Sequence, residues 1–488
     1  MNLPEPCIAI PVSLRACYKA WRKARRGKRP SANQLVFDIR WLDNLLALKE
    51  QLRAGHWQPK RTVSFIVHHP KTREIHAPYF ADRIVHHLLV ERLEPLFEPV
   101  FIHDSYANRT GKGSHAAVDR LQQFMRSLDG RPSGDGWYLQ LDIHNFFNSI
   151  HRPTLYNLLC QRLAKVEQKG KIPPAHALAL RSLCHKLLAH KVTELVRDPI
   201  AAALLPPHKR LANAPAACGI PVGNLTSQFF ANVYLNELDQ FVKHTLKCRY
   251  YVRYVDDFIL LADSAEQLQL WQARISEFLQ SHLRLRLKDE VRLQPLSQGI
   301  DFLGYRVFTP YRRVRPRVVA HCRAKLFAWE RRFVRQNPQG MWIRVTAQDL
   351  SQLQAMLSSY WGHFSHANSV RLRHNLFAQF SWLAVLFTLS PNGEIGARWV
   401  LPGVTFAQQR DAMRTGEPKA KCFIQRGCRF HLFRERLPAW DYRPEQMPAL
   451  LIYLRRTGIA YCVAKQTGWL RHGTRRREVC EWFFPIPH

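Results

Sequence analysis

Acidic residues are scarce in this sequence, and it lacks the spacings that most metal, redox and membrane functions require. Against 72 Lys and Arg stand only 37 Asp and Glu, leaving a formal charge of +35 on 488 residues. That excess is too large for a solvated face. It makes nucleic acid the first partner to expect, ahead of an anionic membrane surface. No apolar run approaches the roughly 20 residues of a spanning helix, so no membrane association is expected. The stretch CIAIPVSL near the start is short, contains Pro11 and follows no basic run, and so does not read as a secretory signal. The 11 cysteines are scattered and include no C-x-x-C pair, which favours reduced thiols over a disulfide framework or zinc site. None of the 23 histidines falls in an H-E-x-x-H spacing, and His68-His69 and His86-His87 read as structural or RNA-facing. No Walker A spacing, internal repeat or heptad run is present.

What is there suffices for several cores, since 46% of the residues are hydrophobic. Helical periodicity marks DIRWLDNLLALKEQLRAGHW, ending near Gly55. TVSFIVHHPKTREIHAPYF reads as two strands joined by a turn. YANRTGKGSHAAVDRLQQFMRSL is a basic, Gly-rich loop opening a helix, whose first amides suit phosphates. Residues 151–200 read as mostly helical, 206–218 as a loop, TSQFFANVYLNELDQFVKHTL as a strong helix, and 316–388 as helix again. SPNGEIGARWVLPGV is the best linker candidate.

Two stretches carry chemistry. RYVDDFILL alternates as a β-hairpin with Asp256 and Asp257 at its tip, and WYLQLDIHNFFNSI places Asp142 where a strand gives way to a turn. Adjacent carboxylates inside apolar strands repel one another and are costly to desolvate. Divalent cations remove that cost. Mg²⁺ takes oxygen ligands and keeps positions open for phosphates, and a pair of such ions suits phosphoryl transfer.

In this order, the motifs IHAPYFADRIVHHLL, DSYANRTGKGSHAA, LQLDIHNFFNSI, GIPVGNLTSQFFANVYLNELD, YVRYVDDF and DFLGYRVF resemble those of reverse transcriptases over roughly residues 15–385. GNLTSQ, with Gln228 where group II intron enzymes have a Pro, points to the diversity-generating retroelement branch of that family. The resemblance implies an α+β right-hand polymerase fold: N-terminal helices and fingers over 1–135, a palm with an antiparallel sheet over 136–312 (with a helical and loop insertion at 151–218), and a helical thumb over 313–390. Residues 395–488 would add a small, basic C-terminal α/β domain, which faintly resembles the N-terminal mismatch-recognition domain of MutS. Arg429 and His431 stand where that domain has its wedging Phe and its Glu. Cys422 and Cys428, six apart, read as buried structure.

The resemblance also implies roles. Asp142 and Asp256 are the expected metal ligands, with Asp257 completing the triad less directly and the Ile143 carbonyl facing a metal. Two Mg²⁺ ions are the implied cofactors, with Mn²⁺ a substitute. Phe147 falls where a bulky side chain excludes a 2′-OH, so dNTPs are preferred over rNTPs. Lys71, Arg73 and Arg83 are expected to grip the triphosphate, Gln228 to contact the incoming nucleotide, and Lys288 to lie near the leaving pyrophosphate. Gly219 and Gly223 would let the backbone approach the template, with Asn224 hydrogen-bonding to it. Lys112, Arg371, Arg373, Arg475 and Arg476 are the expected phosphate contacts, whereas Tyr360, Trp361 and Phe364 read as core.

Template RNA, primer or cDNA, the RNA–DNA hybrid and dNTPs are the implied partners. A structured noncoding RNA and a basic accessory barrel protein belong with the retroelement reading, in a bacterial or phage-encoded cytoplasmic enzyme. The alternatives are an antiviral defence reverse transcriptase with a companion RNA and, remotely, a non-catalytic RNA-binding scaffold. No RNase H or endonuclease signature is visible.

Overall fold

Residues 137–142 and 257–262 are nearly continuous runs of large apolar side chains, and the computed structural model buries them as neighbouring central strands. Described are residues 8–27, 29–68, 72–129, 136–190, 194–196 (as backbone), 203–432, 440–470 and 473–485. The chain divides into two units, Met1–Ile300 and Asp301–His488.

The first unit contains β1 (Thr62–Val67), β2 (Arg73–Ala77), β3 (Trp137–Asp142), β4 (Glu194–Val196), β5 (Tyr250–Tyr254), β6 (Asp257–Ala262) and β7 (Arg292–Pro295). The order β5-β6-β3-β7 makes an antiparallel four-stranded sheet. Leu139, Leu141, Phe258 and Leu260 join its core. Helix Leu225–Gln240 is buried on nearly every side, its polar Thr226, Ser227, Asn232, Asn236 and Asp239 included, with Phe229, Phe230, Tyr234, Leu235 and Leu238 in the same core. It packs against helix Phe80–Phe97. A smaller sheet, β2-β1-β4, pairs β1 antiparallel with β2 and parallel with β4, a third strand that the sequence reading did not anticipate. The periodic run after residue 37 is two helices, Ala32–Ile39 and Trp41–Arg53. Arg40 breaks them apart with φ −123° and ψ 49°.

After β8 (Ile300–Phe302), which begins on the last residue of the first unit, the second unit runs through β9 (Tyr305–Val307), β10 (Arg312–Val314), β11 (Val334–Asn337), β12 (Gly340–Arg344), β13 (Phe387–Leu389), β14 (Ile395–Ala397), β15 (Lys421–Arg426), β16 (Arg429–Leu432), β17 (Trp440–Tyr442), β18 (Tyr461–Trp469) and β19 (Arg475–Pro485). Helices Pro316–Phe333, Ala347–Ser365 and Val370–Gln379 lie between them. Thr346 and Asp349 form a reciprocal capping box at the start of the second helix. Within the stretch read as helical from 316 to 388, β11 and β12 form a hairpin. β12 pairs antiparallel with β19 from the tail, in a seven-stranded sheet ordered β11-β12-β19-β18-β15-β16-β17. Tail and helical segment therefore share a sheet and a core that includes Ile343, Leu357, Trp361, Phe364 and Trp482.

Residues 390–404 are not a linker. β13 and β14 pair across them, and Trp399 is buried to 2% exposure against Phe387. An apolar residue pattern, rather than Pro and Gly content, decides this stretch. Cys422 is buried as expected, but Cys428 sits in the β15–β16 turn and is exposed.

Candidate active site

Asp142 ends β3 and Asp257 begins β6, and the two are direct cross-strand partners. Opposed residues in an antiparallel pair project from the same face. Gln140, two residues before Asp142 and so on that face too, donates Nε2 to Asp257 Oδ1 at 3.0 Å. Tyr254 pairs with Asp257, so Val255 and Asp256 form a two-residue hairpin loop. Such loops demand positive φ, usually from Gly or Asn. Here Val255 adopts φ 57°. A β-branched residue in that region is strained, by about 1–3 kcal/mol, and persists only where its surroundings impose it. Arg253 supplies the restraint. Its Nη1 donates to the Val255 carbonyl at 3.0 Å, while Nε and Nη2 grip both oxygens of Asp239 at 2.7 and 2.6 Å.

Lys288 lies next to Asp142 through backbone and side chain alike. Its N–H donates to the Asp142 carbonyl at 2.8 Å, and its ammonium rests on Asp142 Oδ2. His144 N–H donates to the Arg286 carbonyl at 2.8 Å, which makes Ile143 and Leu287 a non-hydrogen-bonded pair. In such a pair the Ile143 carbonyl is directed away from the 286–288 strand, as a metal-facing role requires. Asp142 Oδ1 is buried without a hydrogen-bond partner among the described residues. Burial, and then the Asp142 carboxylate, push Asp256 up to about 6, against the pull of Lys288 and Arg73.

A buried, orphaned carboxylate oxygen beside a second carboxyl that resists ionisation fits a hard cation. Among the described residues, no three His, Cys, Asp or Glu side chains form a ligand group by themselves. Two carboxylates and a backbone carbonyl suit an ion such as Mg²⁺, which completes its shell with phosphate and water.

The remaining expected residues fare differently. Arg73 is exposed on β2, within electrostatic reach of Asp256. Arg83 is half-buried, lies 5.7 Å from the Phe80 ring and is held below the usual guanidinium range by burial. Lys71 lies outside the described residues. Phe147 sits half-buried in the turn Phe146–Ser149, and its carbonyl accepts from Ile220 N–H at 3.0 Å, tying it to the Gly219–Asn224 segment. Gln228 and Lys112 line one groove of about 450 Å³ with Asn108 and Arg109. The Lys112 ammonium is taken up by the His103 carbonyl and lies 5.0 Å from the Tyr106 ring.

The rest divide between residues that the chain itself engages and residues left exposed. Gly219 (φ 88°) and Gly223 (φ 119°) make room for the chain itself. A Cβ on Gly219 would meet Leu211 Cδ1 at 2.7 Å, and one on Gly223 would meet Ile75 Cγ2 at 2.9 Å. Asn224 is 5% exposed, and its Oδ1 has no partner among the described residues. Arg373 is not a phosphate contact: it is 7% exposed and donates Nη1 to the Gly393 carbonyl at 2.9 Å. Arg371, on the same helix, is exposed. Arg476 is engaged by Glu478 at 2.6 Å, whereas Arg475 lies on the Trp469 ring at 3.5 Å. Trp361 and Phe364 are core residues and Tyr360 is half-buried. Sequence reasoning missed Gln140, Asp239 and Arg253. Strand alternation from Asp142 could have found Gln140, but no spacing rule links 239 to 253.

Protein YkfC of Escherichia coli K12 is 23% identical over 311 residues, covering 56% of this chain and 74% of that protein. The group II intron-encoded protein LtrA of Lactococcus lactis is 22% identical over 298 residues, 48% of this chain; that match spans only 44% of LtrA. Among solved structures, apo telomerase from Candida tropicalis truncated of its C-terminal domain aligns at 12% identity with a TM-score of 0.39, over 52% of this chain and 55% of that one. The family model described as reverse transcriptase (RNA-dependent DNA polymerase) matches residues 59–307, just over half of the 488 and inclusive of both carboxylate strands, and the chain belongs to that family.

Proposed function

We propose that the protein extends a DNA primer on a structured RNA template, and that it does so with errors at template adenines as part of a diversity-generating retroelement. The observation that carries the polymerase reading is that Asp142, with its orphaned Oδ1 at the end of β3, lies within electrostatic reach of the ionisation-resistant Asp256 in the β5–β6 loop. Asp142, Asp256 and the Ile143 carbonyl would hold two Mg²⁺ ions, whose chemistry is activation of the primer hydroxyl and stabilisation of the leaving pyrophosphate. Asp257, fixed by Gln140, holds the hairpin mouth in register. Lys288 is the cation placed to meet charge developing on the leaving group, and Arg73 is the exposed fork for a triphosphate. Phe147 supplies the wall that a 2′-OH would meet.

The error-prone reading is supported by Gln228, half-buried on the first turn of helix Leu225–Gln240 and lining the groove shared with Lys112. The experiment is to sequence cDNA made by purified protein with Mg²⁺, dNTPs and an RNA transcribed from beside its own gene. Substitutions concentrated opposite adenines support the retroelement; faithful or repetitive cDNA moves the enzyme to a defence role with a companion RNA. Asp256→Ala should abolish incorporation while leaving RNA binding intact, and synthesis at the wild-type rate would overturn the assignment of the carboxylates.

A further inference from the structure

Arg477 is 4% exposed, yet among the described residues no carboxylate meets it. Its Nε donates to the Gln425 carbonyl at 2.7 Å, and its Nη1 to Gln409 Oε1 and the Arg475 carbonyl, both at 3.0 Å. All three acceptors are neutral. Arg426 and Arg477 lie against the same ring, at 5.1 and 4.8 Å from the centre of Phe406. Arg475 is the third guanidinium of the group. Burial, together with the charges of Arg426 and Arg475, holds Arg477 below the usual guanidinium range. Arg426 and Arg475 each repel Arg477, no counter-charge among the described residues meets it, and a bound anion would relieve that repulsion.

The same end of the sheet carries an aromatic surface. Trp469 and Arg475 are cross-strand partners on β18 and β19, and the guanidinium lies on the indole. Trp469 nonetheless remains 62% exposed, so the rest of the ring is open. Arg426 is exposed at the end of β15, the strand that pairs with β18.

We propose that this end of the sheet binds single-stranded nucleic acid, with an unpaired base stacked on Trp469, flanking phosphates on Arg426 and Arg475, and Arg477 as the buried charge behind them. Stacking on an open indole requires a base free of its helix, which a duplex does not offer. An acidic peptide would satisfy the guanidiniums but leave the ring unused. The site rests on the reading of the chain as an enzyme of RNA templates, although its test does not depend on polymerisation.

The test is fluorescence anisotropy of the full-length protein with labelled oligonucleotides of about 12 residues, a length suited to stacking sites of this kind. Purine-containing single-stranded RNA, the matching duplex and an abasic strand are compared. Trp469→Ala should weaken the single strand roughly 5- to 100-fold, with Trp469→Tyr restoring most of the loss. It should leave the abasic strand within about 3-fold of wild type. The double variant Arg426→Ala, Arg475→Ala should weaken all three ligands and lower the salt slope by about 1 to 2. Unchanged single-strand affinity in Trp469→Ala, or an equal loss for duplex and single strand, overturns the proposal. Primer extension at saturating template is read in parallel. Wild-type extension with no effect of Trp469→Ala on binding rejects this site alone, whereas a stacking effect in a wild-type protein that extends nothing rejects the polymerase reading alone.

Discussion

Arg253 and Asp239 form a bidentate ion pair in which neither side chain retains exposed surface. The pair joins β5 to helix Leu225–Gln240, and its third donor holds the strained Val255 carbonyl at the hairpin loop. A core salt bridge thus sets the position of Asp256. Removing one partner strands a buried charge, so Asp239→Ala should destabilise the protein by about 3–5 kcal/mol in denaturant unfolding. Arg253→Lys keeps the charge but loses the planar fork. It should cost less stability while cutting primer extension strongly, because Val255 loses its anchor. Near-wild-type extension in Arg253→Lys would detach the pair from the hairpin.

Asp256 gives a pH-dependent prediction. Its folded value of about 6 lies above the ordinary 3.8, so the folded state holds the proton more tightly than the unfolded chain. The carboxylate is therefore a liability above pH ~6, and the liability disappears as the pH falls below ~4. Asp256→Asn should raise stability at pH 7.5 without divalent ions by about 1–3 kcal/mol, the scale of such a shift. It should give no gain near pH 3.5. Mg²⁺ should stabilise the wild type and leave the variant's melting temperature nearly unmoved. An equal response of both proteins to Mg²⁺ would remove Asp256 from the ligand set.

Lys288 engages Asp142 directly, so its removal exposes that carboxylate to a second repulsion with Asp256. Lys288→Ala should lower kcat for incorporation by about 10²-fold, the scale of one lost charge-stabilising donor, with a smaller change in KM for dNTP. A change confined to KM would make Lys288 a triphosphate contact only.

The two carboxylate strands, their hairpin and the long buried helix were legible because each is a local pattern: alternation, an aromatic-x-D-D loop, apolar residues at helical spacing. The β11–β12 hairpin was not, since its pairing partner β19 lies about 140 residues downstream and no local signal specifies that union. The same holds for β4 beside β1. Among the site residues, Asp142 and Asp256 were readable as an unsatisfied charge pattern. Arg373 was misread because an Arg on an amphipathic helix looks the same in sequence whether its guanidinium faces phosphate or a buried carbonyl. At Gly219 and Gly223 a Cβ would meet Leu211, Ala214, Ile75 or His76, neighbours that no local pattern names.

Arg373 can be tested directly. Its guanidinium holds the Gly393 carbonyl, which also accepts from Trp361 Nε1 at 2.9 Å. Arg373→Ala should destabilise the protein by about 1–3 kcal/mol through lost buried hydrogen bonding. The salt slope of RNA binding should stay unchanged, whereas Arg371→Ala should lower it by about 1 with no loss of stability. The opposite pattern would return Arg373 to the nucleic-acid surface.

Truncation after residue 394 separates an appended tail from one that shares the sheet. β19 contributes the whole of one edge that β12 pairs with, from Gly340 opposite Pro485 to Arg344 opposite Glu481. Trp399, Trp482, Cys462 and Val479 share one core with Ile343, Leu353 and Phe364. Deleting 395–488 would strip that core of one side and leave β12 as an unpaired apolar edge, a configuration that aggregates. The truncated protein should therefore be poorly soluble, or lose the protease resistance of residues 301–394 under conditions where the full chain keeps it. A soluble, cooperatively melting truncation with wild-type resistance in 301–394 would show that the helical segment folds without the tail and that the β12–β19 pairing is dispensable.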